Sequence, residues 1–121
     1  MSNRTLSAVS PTAELELLVI VNIDEATGEV RAEPTVLKVP YGFRGYIRWQ
    51  IDHPDAKFEE TPIVFTDGPR TVPPPATPKT CHVWWENVGA GSYSYETLLQ
   101  HGLRHVKPDP TVENEPPGFV A

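Results

Sequence analysis

The chain has 121 residues, a formal charge of −6, 14 prolines and one cysteine, Cys81. That length supports a single hydrophobic core. Proline at about twice its ordinary usage excludes a body of long helices, because each one fixes φ and removes a backbone donor. The acidic balance lacks any offsetting cluster of Lys and Arg and excludes nucleic acid as the natural partner, while a lone cysteine excludes an internal disulfide.

Residues 1–13 form a polar, aperiodic N-terminal segment with no apolar stretch of the kind a secretory signal requires. "AELELLVIVNI" then alternates and runs into the solid apolar stretch Leu17–Val21, rich in β-branched residues, which predicts a central strand. The stretch is far short of the ~20 residues that cross a bilayer, so no membrane partner is expected. "NIDEATGEV" predicts a hairpin turn, with Asp24 opening it and Gly28 free to take positive φ. Val30–Ala32 is its returning arm, and "TVLKV" between Pro34 and Pro40 is a further short strand.

"YIRWQID" carries the clearest alternation: Ile47, Trp49 and Ile51 on one face, Tyr46, Arg48 and Gln50 on the other. The first set is assigned to the core and the second to solvent or a partner. A weaker strand is expected at Ile63–Thr66. "GPRTVPPPATPKT" has too many prolines for a sheet interior and reads as a long crossing loop, partly polyproline II. Such a crossover between sheets marks Greek-key topology.

In "CHVWWENV", Cys81, Val83 and Trp85 are assigned to the core, with His82 and Trp84 on the opposite face. "SYSYETLLQ" places Tyr93, Tyr95, Thr97 and Leu99 together on one face. A short strand near Arg104–Lys107 and a proline-broken acidic tail close the chain. The domain reading is a polar segment at 1–13, a β-sandwich at 14–107 and a proline-rich acidic tail at 108–121. The fold class is an all-β, single Greek-key sandwich of about seven strands.

Familiar catalytic patterns are missing: no Gly-x-Ser-x-Gly elbow, no phosphate-binding glycine loop, no His-Glu-x-x-His. Cys81 and His82 are neighbours on a strand and project to opposite faces, so they do not form a nucleophile–base pair. Glu59 and Glu60 read as a solvated loop rather than an acid–base dyad. The expectation is a protein that is not an enzyme and needs no cofactor.

Tyr46, Arg48 and Trp84 form the candidate binding face, since exposed Trp, Tyr and Arg are the residue types enriched at interaction hot spots. A sugar-stacking platform would use the same residues. Trp84 alternatively lies beneath the proline-rich loop.

The tail "KPDPTVENEPPG" pairs Asp109-Pro110 with Glu115-Pro116, and each residue before proline is biased to extended or turn conformations. Polar ends stay loose unless held, so the tail is expected to dock on its own sandwich or on a neighbouring subunit, with Val112 as its apolar anchor. At the end of a small Trp- and Tyr-bearing β-protein, this arrangement resembles the bacterial DP-EP family, named for the two dipeptides. The resemblance runs over most of the chain from about Glu14; only Asp109, Pro110, Glu115 and Pro116 carry over. It implies a bacterial β-sandwich with no catalytic residue to transfer.

The strand spacing also resembles cupredoxin-like sandwiches, with an immunoglobulin-like arrangement as the other possibility. In the cupredoxin pattern a strand such as "YIRWQID" leads to a first histidine, here His53. A Gly-x-Tyr-x-Tyr strand leads to a copper-binding cysteine, and Thr97 stands at that position. A hydroxyl cannot replace the thiolate of a blue-copper centre. His101 and His105, four apart, would share a face on a helical turn, and with His53 they could hold Zn²⁺ or non-blue Cu²⁺. The leading functional expectation is a cytoplasmic, non-enzymatic binding or assembly module with a protein partner or self-association. A histidine metal site and carbohydrate binding are the alternatives.

Overall fold

The period-two pattern resolves into eight strands among the described residues. The computed structural model describes residues 15–66, 72–103 and 109–117. Its strands are β1 (Leu15–Ile23), β2 (Val30–Glu33), β3 (Val36–Val39), β4 (Arg44–Ile51), β5 (Phe58–Phe65), β6 (Thr80–Glu86), β7 (Gly91–Leu99) and β8 (Thr111–Asn114). They form two four-stranded sheets, ordered β2-β1-β4-β6 and β3-β8-β7-β5. The molecule is the predicted β-sandwich, with eight strands among the described residues where the sequence suggests about seven. Among the described residues no helix is long and apolar enough to cross a membrane.

β4 and β6 follow their side-chain patterns most closely. β4 alternates strictly, with Ile47, Trp49 and Ile51 buried between half-buried polar positions. Cys81, Val83 and Trp85 of β6 face inward while His82 and Trp84 face out. From the other sheet come Val39, Phe65, Tyr95, Thr97, Leu99 and Val112. Rings bridge the two layers: Trp49 meets Tyr95 edge-on at 5.4 Å, and Phe65 tilts against Trp85 at 5.5 Å. Edge-to-face aromatic pairs contribute about 0.5–1.5 kcal/mol each beyond the area they bury.

The hairpin between β1 and β2 forms as predicted. Asp24 Oδ1 accepts from Ala26 and Thr27 N–H at 2.8 and 3.3 Å, and Gly28 takes φ 77°. Beyond β2 the chain leaves the first sheet across Glu33–Pro34, a cis peptide, and β3 joins the second. Pro62 fits β5 because β5 is an edge strand and its pairing with β7 slips between Phe58 and Ile63. Glu59 and Glu60 therefore lie exposed on a strand, not in the loop the sequence suggests.

Residues 111–114, read from sequence as part of a tail beyond residue 107, are a central strand. β8 lies between β3, to which it is parallel, and β7, to which it is antiparallel. Asp109-Pro110 and Glu115-Pro116 bracket it. Pro110 has no N–H to donate, and its carbonyl accepts from Tyr95 N–H at 3.0 Å. Glu115 N–H donates to the Val39 carbonyl at 2.9 Å.

Two buried asparagines fasten this strand. Asn114 Oδ1 accepts from the Trp85 indole N–H at 2.7 Å. Asn87 Nδ2 donates to the carbonyls of Val39 and Glu115 at 2.9 and 3.0 Å, and its Oδ1 accepts from Gly89 N–H at 3.0 Å. Neither role is legible in the sequence, because an asparagine two residues before a glycine or in a short proline-flanked stretch reads as a turn signal.

Candidate functional site

The outer face of the first sheet carries the candidate binding face. Register decides what meets there: Tyr46 pairs with Trp84 and Arg48 with His82 across β4 and β6, while Glu16 lies beside Tyr46 across the parallel β1–β4 pair. The Tyr46 ring stands edge-on to His82 at 4.9 Å and to Trp84 at 5.1 Å. Three rings thus form a row, buttressed from below by the sheet.

Trp84 is 45% exposed. Its indole N–H is already committed, donating to Glu86 Oε2 at 2.8 Å. That hydrogen bond, with Arg44 beside it at 3.5 Å, holds the Glu86 carboxyl below its ordinary pKa. What remains at the surface is the apolar face of the ring.

Next to the row lies a cleft of about 390 Å³ lined by Glu16, Tyr46, Arg48, Ala76, Thr80 and His82. Ala76 belongs to the proline-rich segment, which forms one wall of the cleft. Arg48 and Glu16 oppose each other at 3.7 Å, both substantially exposed. An exposed pair at that separation contributes only about 0–1 kcal/mol. Arg48 was legible in the sequence, but Glu16 and Thr80 were not, because the β1–β4 neighbourhood is a tertiary pairing. His82 could have been added from alternation alone.

His53 lies elsewhere, at the end of β4. Its Nδ1 accepts from Asp55 N–H at 3.1 Å, and its Nε2 lies 2.9 Å from Glu25 Oε2. In the neutral ring Nε2–H is then the donor to Glu25. Lys79 holds the same loop, donating to the carbonyls of His53, Pro54 and Ala56. His101 sits in a 3₁₀ turn, Gln100–Gly102, where its φ of 68° interrupts the right-handed path. His105 lies outside the described residues. Among the described residues no group of three or more His, Cys, Asp or Glu side chains could hold a metal ion.

Cys81 is fully buried and burial pushes its thiol up to about 12. A thiol so far from ionising is no nucleophile at neutral pH. Thr97, at the position of the copper-binding cysteine in the cupredoxin pattern, is also fully buried. Pro110 and Glu115 serve the strand β8 through their backbone hydrogen bonds, and Asp109 precedes it, at the opposite layer from the aromatic row. No protein-family model matches the chain, and no curated protein is detectably similar to it.

Proposed function

We propose that the chain is a non-enzymatic binding module whose contact surface is the outer face of the first sheet. One observation carries this reading: His82, Tyr46 and Trp84 stand in a row of edge-to-face rings at 4.9 and 5.1 Å on a solvent-facing sheet. Aromatics confined to a core need no such row outside it, and exposed Trp and Tyr flanked by Arg are the side chains that dominate interaction energies. The tail is engaged within its own sandwich, so the outer sheet face, rather than a free acidic arm, is left for a partner.

The same structure supports three finer proposals. Parallel pairing of β1 with β4 and of β3 with β8 favours a cupredoxin-like over an immunoglobulin-like arrangement, whose sheets are antiparallel. The bracket of Asp109-Pro110 and Glu115-Pro116 around β8 gives the resemblance to the DP-EP family a physical content. A single buried thiol fits a reducing, cytoplasmic setting.

A thermal-shift screen of candidate ligands and partners tests the reading. A true ligand raises the melting temperature of the wild type and of Glu60→Gln, on the other sheet, but not of Tyr46→Ala or Trp84→Ala. Stabilisation that survives both aromatic substitutions would overturn it.

A further inference from the structure

We infer that the cleft lined by Glu16, Tyr46, Arg48, Ala76, Thr80 and His82 binds a neutral saccharide, one sugar unit holding its hydroxyls between Glu16 and Arg48 and an adjacent unit stacked on the exposed indole of Trp84, which flanks Tyr46 outside the cleft lining. The inference rests on the proposed binding face and names its ligand class.

Four observations point the same way. The cleft, at about 390 Å³, falls within the range of small-ligand sites, about 300–1,000 Å³. Trp84 has its N–H bound to Glu86, so it offers a fixed apolar plate rather than a donor. The C–H face of a sugar ring is the complement of such a plate, being apolar and ringed by polar groups.

Glu16 and Arg48, 3.7 Å apart, are too far from each other for a good hydrogen bond. The carboxylate accepts only and the guanidinium donates only. A hydroxyl does both, and vicinal hydroxyls can accept from Arg48 while donating to Glu16. Thr80 and His82 extend the polar lining on the β6 side.

Charge decides against the competing ligands. The formal charges of Glu16 and Arg48 cancel, and the chain as a whole carries −6. A phosphate or carboxylate entering the cleft meets Glu16, and an ammonium meets Arg48. An apolar peptide would strip water from both ionic groups and return no hydrogen bond to either. A neutral polyol satisfies both at once.

Titrating the full chain with soluble hexasaccharides of glucose, mannose, xylose and N-acetylglucosamine, followed by amide and indole NMR shifts, tests the assignment. At least one sugar should move the Trp84 indole and the Arg48 signals with a Kd of about 1 mM or tighter. Trp84→Ala and Arg48→Met should each weaken it by about tenfold or more, while Glu60→Gln leaves it unchanged. If no sugar binds, the saccharide inference is overturned; the binding-face reading then stands or falls separately on the thermal-shift screen. Sugar-induced shifts confined to β5 and the Gln100–Gly102 turn would overturn both.

Discussion

The Trp85 indole N–H donates to Asn114 Oδ1 at 2.7 Å, so that a strand of the first sheet holds the last strand of the second. Both residues are buried, Trp85 completely. Asn114→Ala removes the acceptor in a place water does not reach and should cost about 1–3 kcal/mol. Urea unfolding monitored by fluorescence measures it. Glu113→Ala, on the exposed side of the same strand, should stay within about 0.5 kcal/mol. Equal effects at the two positions would contradict the clamp.

Deleting residues 108–121 removes β8, including Val112, which is fully buried. β3 and β7 then lose the strand between them. The truncated chain should lack cooperative melting and show collapsed near-ultraviolet dichroism from its aromatics. A sharp melting transition near that of the full chain would refute the central placement of β8.

Alkaline pH should destabilise the fold through Cys81. Its thiol is raised from 9.0 to about 12 in the folded state, because burial penalises the thiolate. Below pH 9 the thiol is protonated in both states and its contribution is fully present. Between pH 9 and 12 the unfolded chain releases the proton and the folded one does not, so stability falls, by on the order of 4 kcal/mol at most. Tyr95, also raised by burial, acts with the same sign at higher pH. Cys81→Ala should flatten the slope of the urea midpoint against pH across this window. An unchanged slope would rule out the thiol as its source.

Trp84 and Trp49 should separate function from folding. Trp49→Ala opens the core and should cost about 3–5 kcal/mol. Trp84→Ala, on the outer face, should cost under about 1 kcal/mol while abolishing ligand-induced stabilisation. A severe loss of stability at Trp84 would mean the ring is a structural lid rather than a contact surface.

Lys79 offers a local test of the loop beneath His53. Its ammonium donates to the three carbonyls of His53, Pro54 and Ala56. Lys79→Met keeps the stem and removes the charge, and should cost about 1.5–3 kcal/mol. Hydrogen exchange at Asp55 should accelerate, since that N–H donates to His53 Nδ1. Unaltered exchange would show the loop to be held by other contacts.

Much of the sandwich was legible because alternation is a local signal. The faces of β4, β6 and β7 follow directly from which residues are apolar at i and i+2. β5 was only half legible: Pro62 and the two glutamates break the pattern, and they are tolerated because the strand is an edge with a slipped register. β8 was hidden for the opposite reason. Its four residues, Thr111–Asn114, contain one aliphatic side chain between two proline-bearing dipeptides, and its pairing partners are remote in sequence. The proposed binding face was legible as Tyr46, Arg48 and Trp84. Glu16 was not, because no property of β1 announces that it runs parallel to β4.

Placing β8 between β3 and β7 has a consequence for biosynthesis. A nascent chain emerging from the ribosome can pair β1 with β2 and later β4 with β1, yet β3 must wait with a vacant edge until β4 to β7 have been made and β8 follows them. During that interval the half-built layer exposes two adhesive borders, those of β3 and β7, to any other unfinished polypeptide. Crowding on a polysome is therefore the circumstance in which this protein is most exposed to strand exchange between copies.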